Sequence, residues 1–167
     1  MASNLKICIQ NIQTGLYKWF EFPESEQTIR KSLGLSDHDE YLIADWDDFN
    51  GIINEYTSIS SLNRLAEKLQ EIPDNYSSLI NDWVIHYNSI DNFIEEFDIN
   101  NWTVAEVSRD EDFGAYLIEE LSAIKIPDNI QPYFDYEAYG RDARLELNCV
   151  ISDQYYAWQY KGNLWKY

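Results

Sequence analysis

The thirty acidic residues of this chain are spread along its whole length, and this spacing limits the ways in which it can fold. Residues 1–60 hold ten acids and four bases, residues 61–100 eight and two, and residues 101–167 twelve and six. A disordered acidic tail would concentrate like charges in one block. The even distribution therefore predicts folded modules that each carry carboxylates on their exposed faces.

Aromatic and aliphatic side chains are numerous enough to form a core. The 167 residues are 45% hydrophobic and 16% aromatic, which predicts one domain or two or three small ones. The formal net charge is -18 and the sequence pI is about 4.2. A surface of this sign repels nucleic acid and anionic membranes, so a basic protein partner is the natural complement.

The two cysteines, Cys8 and Cys149, lie far apart and belong to no CxxC or Cys/His cluster. This usage predicts reduced thiols and a cytoplasmic protein, and each thiol is expected to be buried in a strand rather than to act as a nucleophile. The N-terminal residues have a single lysine before a short alternating stretch, and no run of about 18 apolar residues occurs. We therefore expect neither a signal peptide nor a membrane span.

An N-terminal β-rich module is predicted over residues 1–60. Apolar and polar residues alternate over 5–10 and 16–21, with a turn at 13–15, which is typical of a hairpin. Pro23 ends the second strand, and a short helix is expected over residues 24–33 with Gly34 as its stop. Residues 40–46 predict a third strand.

A central helical module is predicted over residues 61–103. Ser60 or Ser61 can cap a helix whose apolar face includes Leu62, Leu65 and Leu69 and which Pro73 terminates. Two further apolar stripes follow, over residues 79–87 and 90–97. Three short amphipathic helices are expected here, with acidic residues on their polar faces.

A C-terminal module of mixed α and β structure is predicted over residues 104–167. Asp110 can cap a helix, and Pro127 begins a stretch that is either irregular or helical. Alternation over residues 145–151, followed by residues 155–160 and 164–167, predicts further strands. The fold class is therefore α+β, in three small modules.

Motifs for metal binding and catalysis are weak. Residues 45–51 (DWDDFNG) bring carboxylates together, but an EF-hand loop that begins at Asp45 would place Phe49 where an oxygen ligand is needed. A strand end with a solvated acidic turn is the simpler interpretation. His38 is expected in an exposed loop and His86 at the edge of the core or on the surface, without zinc-ligand spacing. We predict no metal and no cofactor.

Enzyme signatures are missing as well. The sequence has no GxSxG, Walker or GxGxxG motif, and with thirty carboxylates an acid pair at glycosidase spacing arises easily by chance. A hydrolase that uses such a pair is the weakest alternative.

Three causes can account for the acidity of a chain like this: solubility, salt adaptation and imitation of the DNA backbone. Duplex DNA carries one charge per ~1.7 Å of its axis, and a compact chain of this size has one net charge per ~2.2 Å of its length. The two charge densities are comparable, so imitation of DNA is physically feasible.

Five segments, in order along nearly the whole chain, resemble the ArdA family of antirestriction proteins. They are residues 15–23 (GLYKWFEFP), 40–45 (EYLIAD), 62–67 (LNRLAE), 126–127 (IP) and 133–142 (YFDYEAYGRD). The last segment is the most specific. The resemblance implies a non-enzymatic inhibitor of type I restriction-modification enzymes, typically carried on mobile genetic elements. It also implies an elongated homodimer of three modules, with its dimer contact in the C-terminal module.

The resemblance further implies competition with DNA for the binding groove of the methyltransferase core, without a catalytic residue or a cofactor. The carboxylates expected to imitate phosphates are Asp37, Asp39, Glu40, Asp47, Asp48, Asp74, Asp82, Asp91, Glu95, Glu96, Asp98, Glu106, Asp110, Glu111, Asp112, Glu119, Glu120, Asp128, Asp135 and Glu137. The family-motif residues expected near the dimer contact are Ile126, Pro127, Tyr133, Phe134, Tyr136, Ala138 and Tyr139. The alternative is an acidic adaptor that binds a basic protein through one local patch.

Overall fold

The computed structural model describes residues 5–49 and 51–159 of the chain. Its fold is α+β, as the sequence predicts, with two three-stranded antiparallel sheets and six α-helices in the described ranges. The chain divides between Phe97 and Asp98 into two compact units. The finer division at residues 60 and 103 stays a prediction; residue 103 itself lies within a strand of the second unit.

The first unit begins with the predicted hairpin. Strands β1 (Leu5–Asn11) and β2 (Tyr17–Phe22) pair antiparallel, and β3 (Tyr41–Trp46) pairs with the other edge of β1, so the order is β2-β1-β3. Leu5, Ile7 and Ile9 are buried together on one face of β1. Their alternation in sequence is what fixes this face, since successive side chains of a strand point to opposite sides.

Local signals set the ends of the first helix, α1 (Glu26–Leu33). The Ser25 side chain accepts from the Thr28 backbone N–H at the N-terminus, and Gly34 adopts the left-handed conformation (φ 66°) that ends the helix. The buried Asn11 joins this helix to the hairpin, because its Nδ2 donates to the Leu33 carbonyl at 3.0 Å and its Oδ1 accepts from the Gln13 backbone.

The remainder of the first unit is helical. It comprises α2 (Ile59–Leu69), a 3-10 turn (Asp74–Leu79), α3 (Ile80–His86) and α4 (Ile90–Glu96). The predicted cap of α2 was wrong by two residues, because Ser58 accepts from the Ser61 N–H. The Trp83 ring is fully buried and packs against Phe97 with centroids 5.3 Å apart.

The second unit contains β4 (Trp102–Ala105), α5 (Asp110–Glu119), a 3-10 turn (Gln131–Tyr133), α6 (Tyr136–Glu146), β5 (Val150–Ile151) and β6 (Tyr156–Gln159). The sheet order is β4-β6-β5, with both pairs antiparallel. Its core contains Phe113, Leu117, Ala143, Tyr156 and Trp158.

Two predictions for the second unit were wrong in detail. Asp110 does not cap α5, because Arg109 occupies the cap position and Asp110 is the first helical residue. The strand predicted over 145–151 is mostly absent: α6 runs to Glu146, and only Val150–Ile151 is extended. Leu147 is buried at the C-terminal end of α6, which it caps, and this burial, not a strand, accounts for its apolar character in the alternating pattern.

Other predictions lie at the edges of the described ranges. The strand predicted over 155–160 is confirmed over Tyr156–Gln159 as β6, whereas residues 160 and 164–167 lie outside the described residues. Cys8 is buried in β1, but Cys149 is half-buried and precedes β5, so its predicted strand position was wrong. No helix within 5–49 and 51–159 has the length and apolar character needed to cross a bilayer.

Candidate functional site: the acidic surface

Carboxylates form the dominant polar feature of the surface. All thirty acidic residues belong to the part of the chain that the structure describes, and none of them is buried. Most are exposed; Glu24, Asp39, Asp82, Asp110 and Asp112 are half-buried. Their exposure follows from the cost of removing a charge from water, which apolar packing does not repay.

Internal ion pairs neutralise only a minority of these charges. In residues 5–49 and 51–159, the carboxylates within 4.0 Å of a Lys or Arg nitrogen are Glu21, Glu26, Glu71, Asp91, Asp110, Glu111, Asp112 and Asp142. In seven of these pairs at least one of the two partner side chains is substantially exposed. Such pairs are weak because water and salt screen them. The surface therefore keeps a large net negative charge.

The largest subset of the predicted phosphate-imitating carboxylates is exposed, lies outside these pairs and, unlike Asp98 and Asp135, accepts no backbone hydrogen bond within the described residues. This subset is Asp37, Glu40, Asp47, Asp48, Glu95, Glu96, Glu106, Glu119, Glu120, Asp128 and Glu137. Asp74 is also exposed and Asp82 is half-buried, and both have further contacts within the fold. The subset has members in both compact units, so no single element carries it.

Four members of that subset lie where a helix disfavours negative charge. Glu95 and Glu96 form the end of α4, and Glu119 and Glu120 the end of α5, with no basic residue in the last turn of either helix. The C-terminal end of a helix carries about half a negative charge, so a carboxylate there lowers stability. By contrast, α1 has Glu26 in its first turn and Arg30 and Lys31 in its last.

Several predicted carboxylates have a local structural role. Asp135 caps α6 by accepting from the Ala138 N–H at 2.9 Å, and Asp98 accepts from the Asn100 N–H at 2.9 Å. Asp39 accepts from the Ser36 N–H at 2.7 Å, and this backbone hydrogen bond lowers the pKa of its carboxyl. A carboxylate that satisfies a backbone donor is partly occupied before any partner arrives.

Asp110 is held by the side chains of two residues of the second unit. Its two oxygens accept from Arg144 Nε at 2.8 Å and Nη2 at 3.2 Å, and Oδ1 also accepts from the Tyr156 hydroxyl at 2.9 Å. The Arg144 guanidinium lowers the pKa of the Asp110 carboxyl, whereas burial and this same carboxylate raise the pKa of Tyr156 to about 12. Asp110 therefore links α5, α6 and β6.

Asp112 and Glu111 share one cation. Arg109 donates to Asp112 from Nε and Nη2, each at 3.0 Å, and its Nη1 lies 3.7 Å from Glu111. The hydrogen bond to Asp112 raises the pKa of Arg109. Asp91 likewise pairs with Arg64 at 3.0 Å. A partner must displace these arginines or leave the paired carboxylates uncontacted.

Sequence reasoning missed several exposed carboxylates. Glu55, Glu67, Glu146 and Asp153 are exposed and lie outside the described ion pairs. Glu67 could have been found from helical periodicity, because Leu62, Leu65, Ala66 and Leu69 define the buried face of α2 and leave it on the opposite side.

The family-motif residues contribute mainly to packing within the second unit. The Phe134 ring lies 5.0 Å from that of Tyr136 and 5.7 Å from that of Tyr139. Burial raises the pKa of Tyr139. Ile126 and Ala138 are half-buried, Pro127 is exposed, and Tyr133 is 84% exposed. Tyr133 is therefore the large motif side chain most available to a second molecule.

The remaining candidates show no arranged chemistry. His38 is exposed and His86 half-buried, as predicted, and the His86 ring packs on Tyr87 at 5.3 Å. Asp47 and Asp48 follow the end of β3 as an exposed bend, which agrees with the simpler interpretation of that segment. Burial raises the pKa of Cys149 to about 12, which keeps the thiol protonated.

Comparison with known proteins identifies a family. A family model described as "Antirestriction protein (ArdA)" matches residues 16–157. No curated protein matches the chain. The match to the family model covers most of the sequence and includes most of the exposed carboxylates described above.

Proposed function

The chain belongs to the ArdA family of antirestriction proteins, and from this premise we propose that it imitates the DNA backbone. It would occupy the groove in which the methyltransferase core of a type I restriction-modification enzyme binds duplex DNA. The family is one of inhibitor proteins, not of enzymes, and its function implies interaction with restriction-modification enzymes. The groove and the mechanism of competition are our proposal.

One observation carries it: thirty carboxylates lie at the surface, mostly outside internal ion pairs, even where helix dipoles oppose them. Lys and Arg side chains that grip phosphates can grip carboxylates with similar charge-assisted hydrogen bonds. Binding would release counterions from both surfaces, as DNA binding does. Solubility alone does not require acidic residues at helix C-terminal ends.

Competition for the groove can be tested directly. Labelled target duplex is bound to a purified methyltransferase core, and increasing amounts of this protein are added at several salt concentrations. We expect stoichiometric displacement of the duplex, with an inhibition constant that rises steeply with salt. Binding of the protein without release of duplex would contradict the proposal and favour an adaptor that uses a separate patch.

A homodimer is the second part of the proposal. The exposed apolar side chains of the second unit are the candidates for its contact, namely Leu121, Ile124, Ile130, Tyr133, Leu145 and Ile151. Exposed apolar groups of this kind favour association when they form a contiguous patch. A dimer would double the number of carboxylates that one inhibitor presents to the enzyme, which suits a mimic of a long duplex.

The cytoplasm is the proposed site of action, because restriction enzymes meet incoming DNA there. A mobile genetic element that enters a cell with a restriction system is the proposed genetic setting. A transfer assay would test both: expression of this protein in a restricting host should raise the recovery of unmodified plasmid and leave that of modified plasmid unchanged.

A further inference from the structure

Strand β2 has a free edge. In the sheet order β2-β1-β3 it pairs only with β1 among the described residues, through the register from Leu5 with Phe22 to Gln10 with Tyr17. The backbone N–H and C=O groups on its other side therefore face away from the sheet. Such an edge can accept a further strand, and proteins usually cover it or protect it.

Two aromatic side chains stand exposed along this edge. Tyr17 is 62% and Trp19 is 49% exposed, and both point to the same face because they alternate along the strand. Leu16, next to them, is 43% exposed. Exposed aromatic rings pair well with β-branched residues on a neighbouring strand, each pair contributing about 0.2–1 kcal/mol.

The charge of this hairpin is opposite to that of the rest of the protein. Its strands, Leu5–Asn11 and Tyr17–Phe22, contain two lysines, Lys6 and Lys18, and one acid, Glu21, in a chain whose net charge is -18. Lys6 pairs with Glu21 at 3.4 Å, whereas Lys18 is exposed and forms no ion pair within the described ranges. A basic DNA-binding groove would repel this lysine, so imitation of DNA does not account for it.

We propose that the β2 edge docks an extended acidic segment of another protein, which adds as a fourth strand beside β2. The main-chain groups of β2 supply the hydrogen bonds, Tyr17 and Trp19 contact apolar side chains on one face of the added strand, and Lys18 pairs with a carboxylate on its other face. None of the carboxylates named for the proposed inhibition belongs to β2, so this edge would allow the protein to hold a second partner.

The test uses the full chain and two capped peptides. One has the sequence Thr-Val-Glu-Val-Glu-Val-Thr, and its match has lysine in place of each glutamate. Hydrogen exchange is followed residue by residue with NMR. We expect the glutamate peptide to slow exchange at the β2 amides that do not bond to β1, and the lysine peptide to leave them unchanged.

Charge-reversed variants complete the test. Lys18→Glu should weaken binding of the glutamate peptide about fivefold or more, whereas Lys125→Glu, an exposed lysine of the second unit, should leave it unchanged. Both variants should inhibit the restriction enzyme as the parent does. If the parent protein itself does not inhibit the enzyme, that result contradicts the proposed function and leaves the peptide-binding test of β2 unaffected. Absence of protection in β2, or equal binding of both peptides, would overturn the proposal.

Discussion

Arg144 on α6 donates to Asp110 on α5 across 2.8 Å, and this ion pair joins residues 34 positions apart in the sequence. The side chains are only 26% and 20% exposed, so solvent screens the pair less than the other ion pairs of the described surface. It removes Asp110 from the set of carboxylates available to a partner and assigns it to the stability of the second unit.

Loss of this pair should show as a change in the pH dependence of unfolding. The pKa of Asp110 is lowered in the folded protein, so its stabilising contribution is present above the unfolded pKa of about 4 and is lost as the pH falls through the folded value. Asp110→Asn should lower the free energy of unfolding at pH 7 by about 2 kcal/mol.

Urea unfolding of both proteins from pH 7 to pH 2 checks this. The difference in unfolding free energy between the parent and Asp110→Asn should shrink below about pH 4. Taking this difference cancels the effect of protonating the other carboxylates, because both proteins share them. Asp142→Asn is the control, because the Asp142–Arg141 pair is largely exposed and should contribute little. A difference that stays constant with pH would contradict the role given to Asp110.

Gly140→Ala should destabilise the protein although alanine is the better helix former. A Cβ at Gly140 would collide with the Asp110 carbonyl oxygen and would lie 2.7 Å from the Gly114 nitrogen, so α5 and α6 must move apart. Helix propensity alone predicts a gain of about 1 kcal/mol, whereas overpacking costs about 1–3 kcal/mol or more. Thermal unfolding decides the sign; an increased Tm would show that the helices are not in contact here.

Removing the carboxylates at helix C-terminal ends should raise stability and weaken inhibition at the same time. Replacing Glu95, Glu96, Glu119 and Glu120 together with glutamine removes four charges that oppose the helix dipoles. We expect the free energy of unfolding to rise by about a few tenths of a kcal/mol per site, and inhibition of the restriction enzyme to weaken at least tenfold.

A control variant that also loses four negative charges shows whether the loss of net charge alone weakens inhibition. Glu21, Glu26 and Glu71 changed to glutamine, together with Asp142→Asn, alter carboxylates that already lie in ion pairs. This control should weaken inhibition less than the first set does. Each single substitution of the first set should change inhibition about fivefold or less; one dominant residue would instead favour an adaptor with a local patch.

Self-association should depend on exposed apolar residues of the second unit. Tyr133→Asp and Leu145→Glu place a charge at side chains that are 84% and 64% exposed, so folding should be unaffected while a contact between copies is disrupted. Sedimentation measures the mass of each variant. Tyr56→Asp, at an 85% exposed site of the first unit, is the matched control. Unchanged association in both variants would place the contact elsewhere.

Much of the fold could be predicted because its signals are local. Alternation over β1 and β2, the apolar stripes of α2 and α4, and the Gly34 stop of α1 involve residues within a few positions of one another. Alternation near residue 147 misled for the same reason, since a helix end and a short strand can mimic one longer strand. Strand β4 was not predicted, because its four residues depend on pairing with β6, more than fifty positions later.

The sequence alone determined the sign and amount of charge, its even spread along the chain and the family to which the chain belongs. Only the tertiary structure decided which carboxylates remain available and which are bound to Arg144, Tyr156 or a backbone N–H. Charge is a sum over residues and needs no coordinates. Pairing requires two groups within hydrogen-bond distance, and for Asp110 and Arg144 only the packing of α5 against α6 brings them there.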